Sequence, residues 1–331
     1  MDAPGAACAL IMKVQYLMKA VALIAVFAVA LYLPEVLTDY WLYVLTVAFF
    51  YAVMAASWNL LAGYTGQFSL GHHTFAMIAT YTSTLFMDQV GVPFWAGIAA
   101  AVVLSILLSF VLGVVCLRVH GLYLALITWA FAEVTRNYFR MHYQFTGGDR
   151  GLDSPLIFGT LKPLPYYYLF LAILTLCVGL IAVIMYSRWG YYLRAIRDDA
   201  LAARCMGVNI VRYKVLAFMV ASGLAGMAGA FYGHSIGLIS PVMGDFNEMA
   251  MIIIFVVIGG MRTQSGPVIG AITVRIVMEL LREQSEIRII ILSALVILIM
   301  RFFNGGLMEF WRRIAKVLRR ERPESVSAYQ E

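Results

Sequence analysis

The sequence predicts an all-α, polytopic membrane protein of about ten transmembrane helices, with a helix displayed in one cytoplasmic loop. Three observations carry that prediction. Hydrophobic residues make up 63% of the 331-residue chain and charged residues only 13%, about half the charged share of a soluble domain. The hydrophobic residues gather into runs long enough to cross roughly 30 Å of hydrocarbon. The polar exception is Ser187 to Lys214, which holds six of the 24 Lys and Arg: Arg188, Arg194, Arg197, Arg204, Arg212 and Lys214.

The apolar runs fall at roughly 20–37, 41–62, 67–87, 94–117, 121–139, 166–187, 213–236, 248–260, 266–281 and 287–303. The third, eighth and ninth are short or Gly-rich, so nine or eleven helices also fit. The chain then divides into an N-terminal segment 1–19, a transmembrane domain 20–303 and a basic tail 304–331. The longest outside loop, about 140–165, carries Gly147, Gly148, Gly151, Pro155 and Pro163 as turn signals. The start lacks the ordered charged, apolar and small-residue regions of a cleaved signal peptide, and Met12 offers an alternative start.

Charge sets the orientation. With ten spans and a cytoplasmic N-terminus, 17 of the 24 Lys and Arg face the cytoplasm, and inverting the chain would reverse that bias. Both termini and the 188–214 loop are therefore expected inside. Within the loop, Asp198 or Asp199 can cap a helix that Ala200, Leu201, Ala202 and Ala203 favour, and Gly207 suits its C′ position. A helix of small residues on that face fits a docking partner. Its other reading is an interfacial helix lying on anionic lipid. The tail from Leu307 to Arg320 has the latter character, with Leu307, Phe310, Trp311, Ile314, Val317 and Leu318 on one stripe and five basic residues beside it.

Two Gly-rich breaks interrupt the hydrophobic pattern. The first is AGYTGQFSLGHH, Ala62 to His73. Gln67, Ser69, Gly71 and His72 bring polar or backbone-exposing positions to membrane depth, where only protein or a water-filled cavity can satisfy them. Broken helices of this kind build pathways in transporters. The same glycines also fit a tight turn between closely packed spans. The second break, Ile258 to Ala271, contains Arg262 and Pro267 and reads as a cytoplasmic turn.

Ionisable residues inside spans are few. Glu133 and Arg136 are three apart, Arg275 and Glu279 four apart, and each pair can meet on one helix face. There is no acidic series fit for a proton relay. No GxxxxGK[ST] loop, GxSxG elbow or zinc-ligand spacing occurs, so neither catalysis nor a bound cofactor is expected of this chain. The net charge of +6 follows the positive-inside pattern and implies lipid rather than nucleic acid. Cys8, Cys116, Cys177 and Cys205 are widely spaced and read as small packing residues.

Three motifs carry a resemblance. GYTGQFSLGHHTF (Gly63 to Phe75), AIRDDALAARCMGVNIVRYKVLAF (Ala195 to Phe218) and the run from Ala225 to Gly270 are similar to segments of the permease subunit of branched-chain amino-acid ABC importers, in the same order. TGGDRGL, Thr146 to Leu152, also fits. The resemblance implies a bacterial inner-membrane permease paired with a second related permease and fed by a periplasmic binding protein. It also implies two ABC ATPase subunits, which would use ATP on this chain's behalf. The ATPase-coupling element would be Arg194 to Val208, with Arg194, Arg197, Asp199, Ala202, Ala203, Arg204 and Gly207 as its residues, and Arg197 and Arg204 reaching the ATPase. A permease for urea or short amides in the same family, and a stand-alone channel or secondary carrier, are the alternative readings.

Overall fold

A computed structural model describes residues 29–116 and 121–283, together with 290, 291, 293, 294, 296–298, 301 and 306–309. The N-terminal segment, the start of the first predicted span, most of the tenth and nearly all of the tail lie outside these residues. Residues 29–36 are helical.

Among the described residues the helices that follow include α1 (Asp39–Asn59), α2 (His72–Val90), α3 (Phe94–Cys116), α4 (Leu122–Met141), α5 (Pro163–Tyr186), α6 (Arg188–Asp198), α7 (Ala200–Cys205), α8 (Ile210–Ile236), α9 (Phe246–Gly259) and α10 (Gly266–Leu280), with a short turn of helix at Tyr143–Thr146. Among the described residues four helical stretches are long and apolar enough to cross a membrane: Asp39–Thr65, Phe94–Val115, Pro163–Tyr186 and Ile210–Ile236. α9 and α10 are shorter and pack against each other and against α1. The ten helices do not map one to one onto the predicted spans. α6 and α7 occupy the basic loop, and the predicted third span starts with five residues that are not helical.

Burial is distributed as lipid would demand. α1 is enclosed on nearly every side, with Ala48, Ala52, Val53, Ala55 and Trp58 fully buried. α3 is the most apolar of the four long stretches, yet Val103, Leu107, Phe110, Val111 and Val115 point outward. In water such a face would be a large apolar patch; in hydrocarbon it is the expected surface. α8 packs along both α2 and α3. Its Gly229 lies directly on the backbone of Ala76, so the helices approach more closely than a side chain there would allow.

The predicted Glu133–Arg136 pair forms at 2.7 Å, and Arg136 also reaches Asp245 at 2.6 Å, tying α4 to the start of α9. The predicted Arg275–Glu279 pair does not form. Glu279 instead accepts from the Tyr40 hydroxyl and from Arg282, while the Arg275 guanidinium lies 5.8 Å from the centre of the Tyr51 ring. Helical spacing permits such a pair, but side chains of α1 supply nearer partners. The 140–165 loop is structured: β1 (Leu152–Asp153) pairs antiparallel with β2 (Leu238–Ile239). Arg140 and Asp149 pair at 2.8 Å, which holds the Asp149 carboxyl below its ordinary range, but both are solvent-facing and the pair contributes little to stability.

Between α1 and α2 the backbone leaves the helix. α1 loosens into a π-helical turn, Leu60–Thr65, and residues 66–71 then run back into the bundle before α2 begins. Trp58 Nε1 donates to the Ser69 carbonyl at 2.8 Å inside this region. Trp58→Phe keeps the aromatic packing but strands that buried carbonyl. It is expected to destabilise the protein by about 1–3 kcal/mol, read as a lower melting temperature in detergent; an unchanged melting temperature would show that the bond contributes nothing.

Candidate functional site

The 66–71 stretch is held by backbone and side-chain groups from three helices. Gln67 N donates to the Leu61 carbonyl at 3.0 Å, and Gln67 Nε2 to the Lys214 carbonyl of α8 at 3.2 Å. Leu70 N donates to Thr128 Oγ1 of α4 at 2.9 Å. Its backbone groups thus find protein partners, as the interior of a membrane protein requires. Gly71 is a close-approach position: a Cβ there would sit 2.5 Å from the Thr128 carbonyl oxygen.

His72 is wholly buried, and its Nε2 lies 2.8 Å from Ser57 Oγ. Ser57 Oγ already donates to the Met54 carbonyl, so it accepts from His72, and Nε2 carries the proton. Four polar atoms in this region are buried without a partner: Gln67 Oε1, His72 Nδ1, His73 Nδ1 and Thr74 Oγ1. Orphaned groups at this density are unusual in a finished core.

The basic loop folds into two helices, where the sequence reading expected one. Ser187 caps α6, which buries Gly190, Leu193 and Ile196 on one face. Its charges disguised that spacing as a solvated loop. Asp199 caps α7, its carboxylate accepting from Leu201 N at 2.8 Å and Ala202 N at 3.0 Å. Gly207 closes the turn at φ 84°, a conformation that suits glycine.

The expected ATPase-contact residues separate into two groups. Ala202, Arg204 and Gly207 are exposed, beside Leu201 and Met206 at 71% and 84% exposure. Ala203 is buried within the chain itself. Arg194 turns inward onto the Gly190 and Met185 carbonyls, both at 3.1 Å. Arg197 pairs with Asp198 at 2.7 Å and donates to the Gly63 carbonyl at 3.1 Å. Arg197 thus does not face outward as the sequence reading expected, because the π-helical turn offers it a carbonyl. It fastens α6 to the start of the break.

Asn59, which sequence reasoning passed over, completes this junction. Its Oδ1 accepts from Arg262 N at 3.1 Å and its Nδ2 donates to the Thr263 carbonyl at 2.9 Å. The second Gly-rich break is therefore clamped to the first. The signal was a lone asparagine near the end of an apolar span.

Above His72 lies a cavity of about 210 Å³, bounded by α1, α2, α8, α9 and the turn Pro241–Gly244. Phe50, Tyr51, Met54, His73, Ala76, Tyr232, Ser240, Met243, Glu248 and Ile252 are among its lining residues. Gln67, Ser69, Gly71 and His72 are not; they immediately precede the lining residue His73. Tyr51 donates to Glu248 Oε2 at 2.5 Å, and His73 Nε2 meets the Gly244 carbonyl at 2.9 Å. Sequence reasoning missed Glu248, which sits at the very edge of a predicted span.

A helical bundle with an apolar outer face and a cavity of mixed polar and apolar lining fits a membrane transport component. The chain belongs to the family described as the permease component of the branched-chain amino acid transport system, which matches residues 40–303. It is 27% identical to the high-affinity branched-chain amino acid transport system permease protein LivM of Escherichia coli strain K12, over 88% of this chain and 75% of that protein. The LivM protein of Salmonella typhimurium strain LT2 is likewise 27% identical, over 81% of this chain and 69% of its own length. A second permease protein, LivH of E. coli K12, is 24% identical over 78% of this chain and 91% of its length. No solved structure matches the chain. The family is one of transport components, not enzymes.

The contact of Gly71 with Thr128 makes a prediction. Gly71→Ala overpacks a backbone contact and is expected to destabilise the protein by about 1–3 kcal/mol, and Gly71→Leu by more, with loss of folded protein on size-exclusion chromatography. A Gly71→Leu protein with the wild-type melting temperature would contradict this close-packing role.

Proposed function

We propose that this chain is one permease subunit of an ABC importer for branched-chain or related hydrophobic amino acids. A second related permease completes the pathway, a periplasmic binding protein delivers the solute, and two ATPase subunits drive transport by hydrolysing ATP. The branched-chain substrate class rests on family membership and on the named activity of the LivM and LivH relatives. The protein lies in the bacterial inner membrane with both termini and the α6–α7 loop in the cytoplasm, in keeping with the placement of its Lys and Arg.

One observation carries the mechanism: the Arg197 guanidinium, on the loop that would receive the ATPase, is bonded to the Gly63 carbonyl at the root of the broken helix. Movement of α6 and α7 by a partner would pull directly on that turn. Leu201, Ala202, Arg204, Met206 and Gly207 form the exposed docking face, with Arg204 supplying the charge-assisted contact. Asp199 keeps α7 in shape, Ala203 seats it, and Arg194 and Arg197 transmit its displacement inward.

Gln67, Ser69, Gly71 and His72 face the pathway once it opens below the cavity. The support is the set of buried, unpartnered acceptors at Gln67 Oε1 and His72 Nδ1, which a hydrated or solute-filled pathway would satisfy. Gly71 serves by letting the stretch lie against α4.

Ala202→Trp places a bulky group on the docking face, and Gly207→Pro imposes a φ near −65° where the chain has 84°. Both are expected to leave the chain folded but to cut solute-stimulated ATPase activity of the purified complex about tenfold or more, equivalent to about 1.4 kcal/mol of coupling. Normal stimulation in both variants would sink the coupling assignment.

A further inference from the structure

We propose that the Tyr51, His73 and Glu248 lining of the partly open cavity is a waypoint that receives the ammonium group of the transported solute. The proposal rests on the permease reading above and adds a site and a chemistry to it.

The cavity joins two unlike surfaces. Met54 and Ile252 are apolar, while Tyr51, His73 and Glu248 are polar. Its volume, about 210 Å³, exceeds the roughly 150 Å³ of cavities that hold benzene, so a small apolar solute with one charged end fits.

Among the described residues no cation is bonded to Glu248 in the polar corner. Glu248 Oε2 takes the Tyr51 hydroxyl at 2.5 Å, and Oε1 has no hydrogen-bond partner among the described residues. Arg275 lies over the Tyr51 ring, 5.8 Å from its centre, and acts on Glu248 through space without bonding to it. A carboxylate in an apolar helix without a bonded counter-ion is costly and marks a functional position.

His73 gives the second, independent observation. The residue is 2% exposed and lines the cavity. Because a carbonyl oxygen only accepts, Nε2 must donate to Gly244, which leaves Nδ1 of the neutral ring as an acceptor. That acceptor is buried and has no partner. The lining of one cavity thus holds a carboxylate oxygen and an imidazole nitrogen, each without an N–H donor among the described residues. An ammonium group carries three such donors and a positive charge. A solute carboxylate would meet the like charge of Glu248 and two acceptors, with Arg275 held over the Tyr51 ring as a through-space influence. Binding is shared among few groups, so the solute is selected without being trapped.

Two measurements test this. In cells carrying the complete transporter, Glu248→Gln is expected to lower uptake of labelled L-leucine about tenfold or more while the complex still assembles, and Glu248→Asp to retain part of the rate. An assembled Glu248→Gln transporter with wild-type uptake would overturn the proposal. Should Glu248→Gln fail to assemble, the wild-type chain in nanodiscs decides. Saturation-transfer NMR is expected to show contact with 3-methylbutylamine, which keeps the ammonium, and much weaker contact with 4-methylpentanoate, which keeps only the carboxylate. Equal contact, or preference for the acid, would overturn the ammonium site. If wild-type cells take up no L-leucine, the substrate reading fails instead, and the NMR comparison still stands as the test of this corner.

Discussion

Hydrocarbon offers no hydrogen-bond partner to a backbone amide, and residues 66–71 leave the helix inside a bundle of apolar helices. Much of the architecture follows from satisfying that stretch. Trp58, Thr128 and the Leu61 carbonyl each take one of its backbone groups. For this α1 must be enclosed, α4 must come close enough to touch Gly71, and α8 must lie alongside so that the Lys214 carbonyl meets Gln67. The most apolar helix, α3, is left for the lipid-facing side.

The same constraint gives the break its connections. A helix needs no outside help with its backbone, whereas an unwound turn exposes carbonyls that side chains elsewhere can claim. Arg197 claims that of Gly63, and Asn59 reaches across to the turn at Arg262 and Thr263. Two loops distant in sequence thus converge on one weak point of α1. Inward of that point lies the cavity with Glu248 and His73. Arg197 therefore links the α6–α7 pair to the break by a direct contact.

Much of this was legible in the sequence. Composition and periodicity placed the long apolar helices, because a 3.6-residue repeat and a 30 Å requirement leave few alternatives. The capping chemistry of Asp199 and the positive φ of Gly207 were readable because both depend on local geometry alone. The polar break was visible for the same reason. What escaped were contacts made across the bundle. Nothing in the spacing of Arg275 and Glu279 says that Tyr40 and Tyr51 will intercept them. Nor does a run of arginines say which one turns inward. The cavity was hidden because its members come from five parts of the chain. A stray Glu at the edge of a span and a His beside another His were its only local signs.

The central claim is that residues 66–71 are a protein-satisfied crossing within the bundle and not a solvated turn between two helices. Amide hydrogen exchange on the full chain in nanodiscs tests it most directly. The Gln67 and Leu70 amides, bonded to the Leu61 carbonyl and to Thr128 Oγ1, are predicted to exchange as slowly as the amides of neighbouring α1. Exchange at the rate of an open loop would contradict the account.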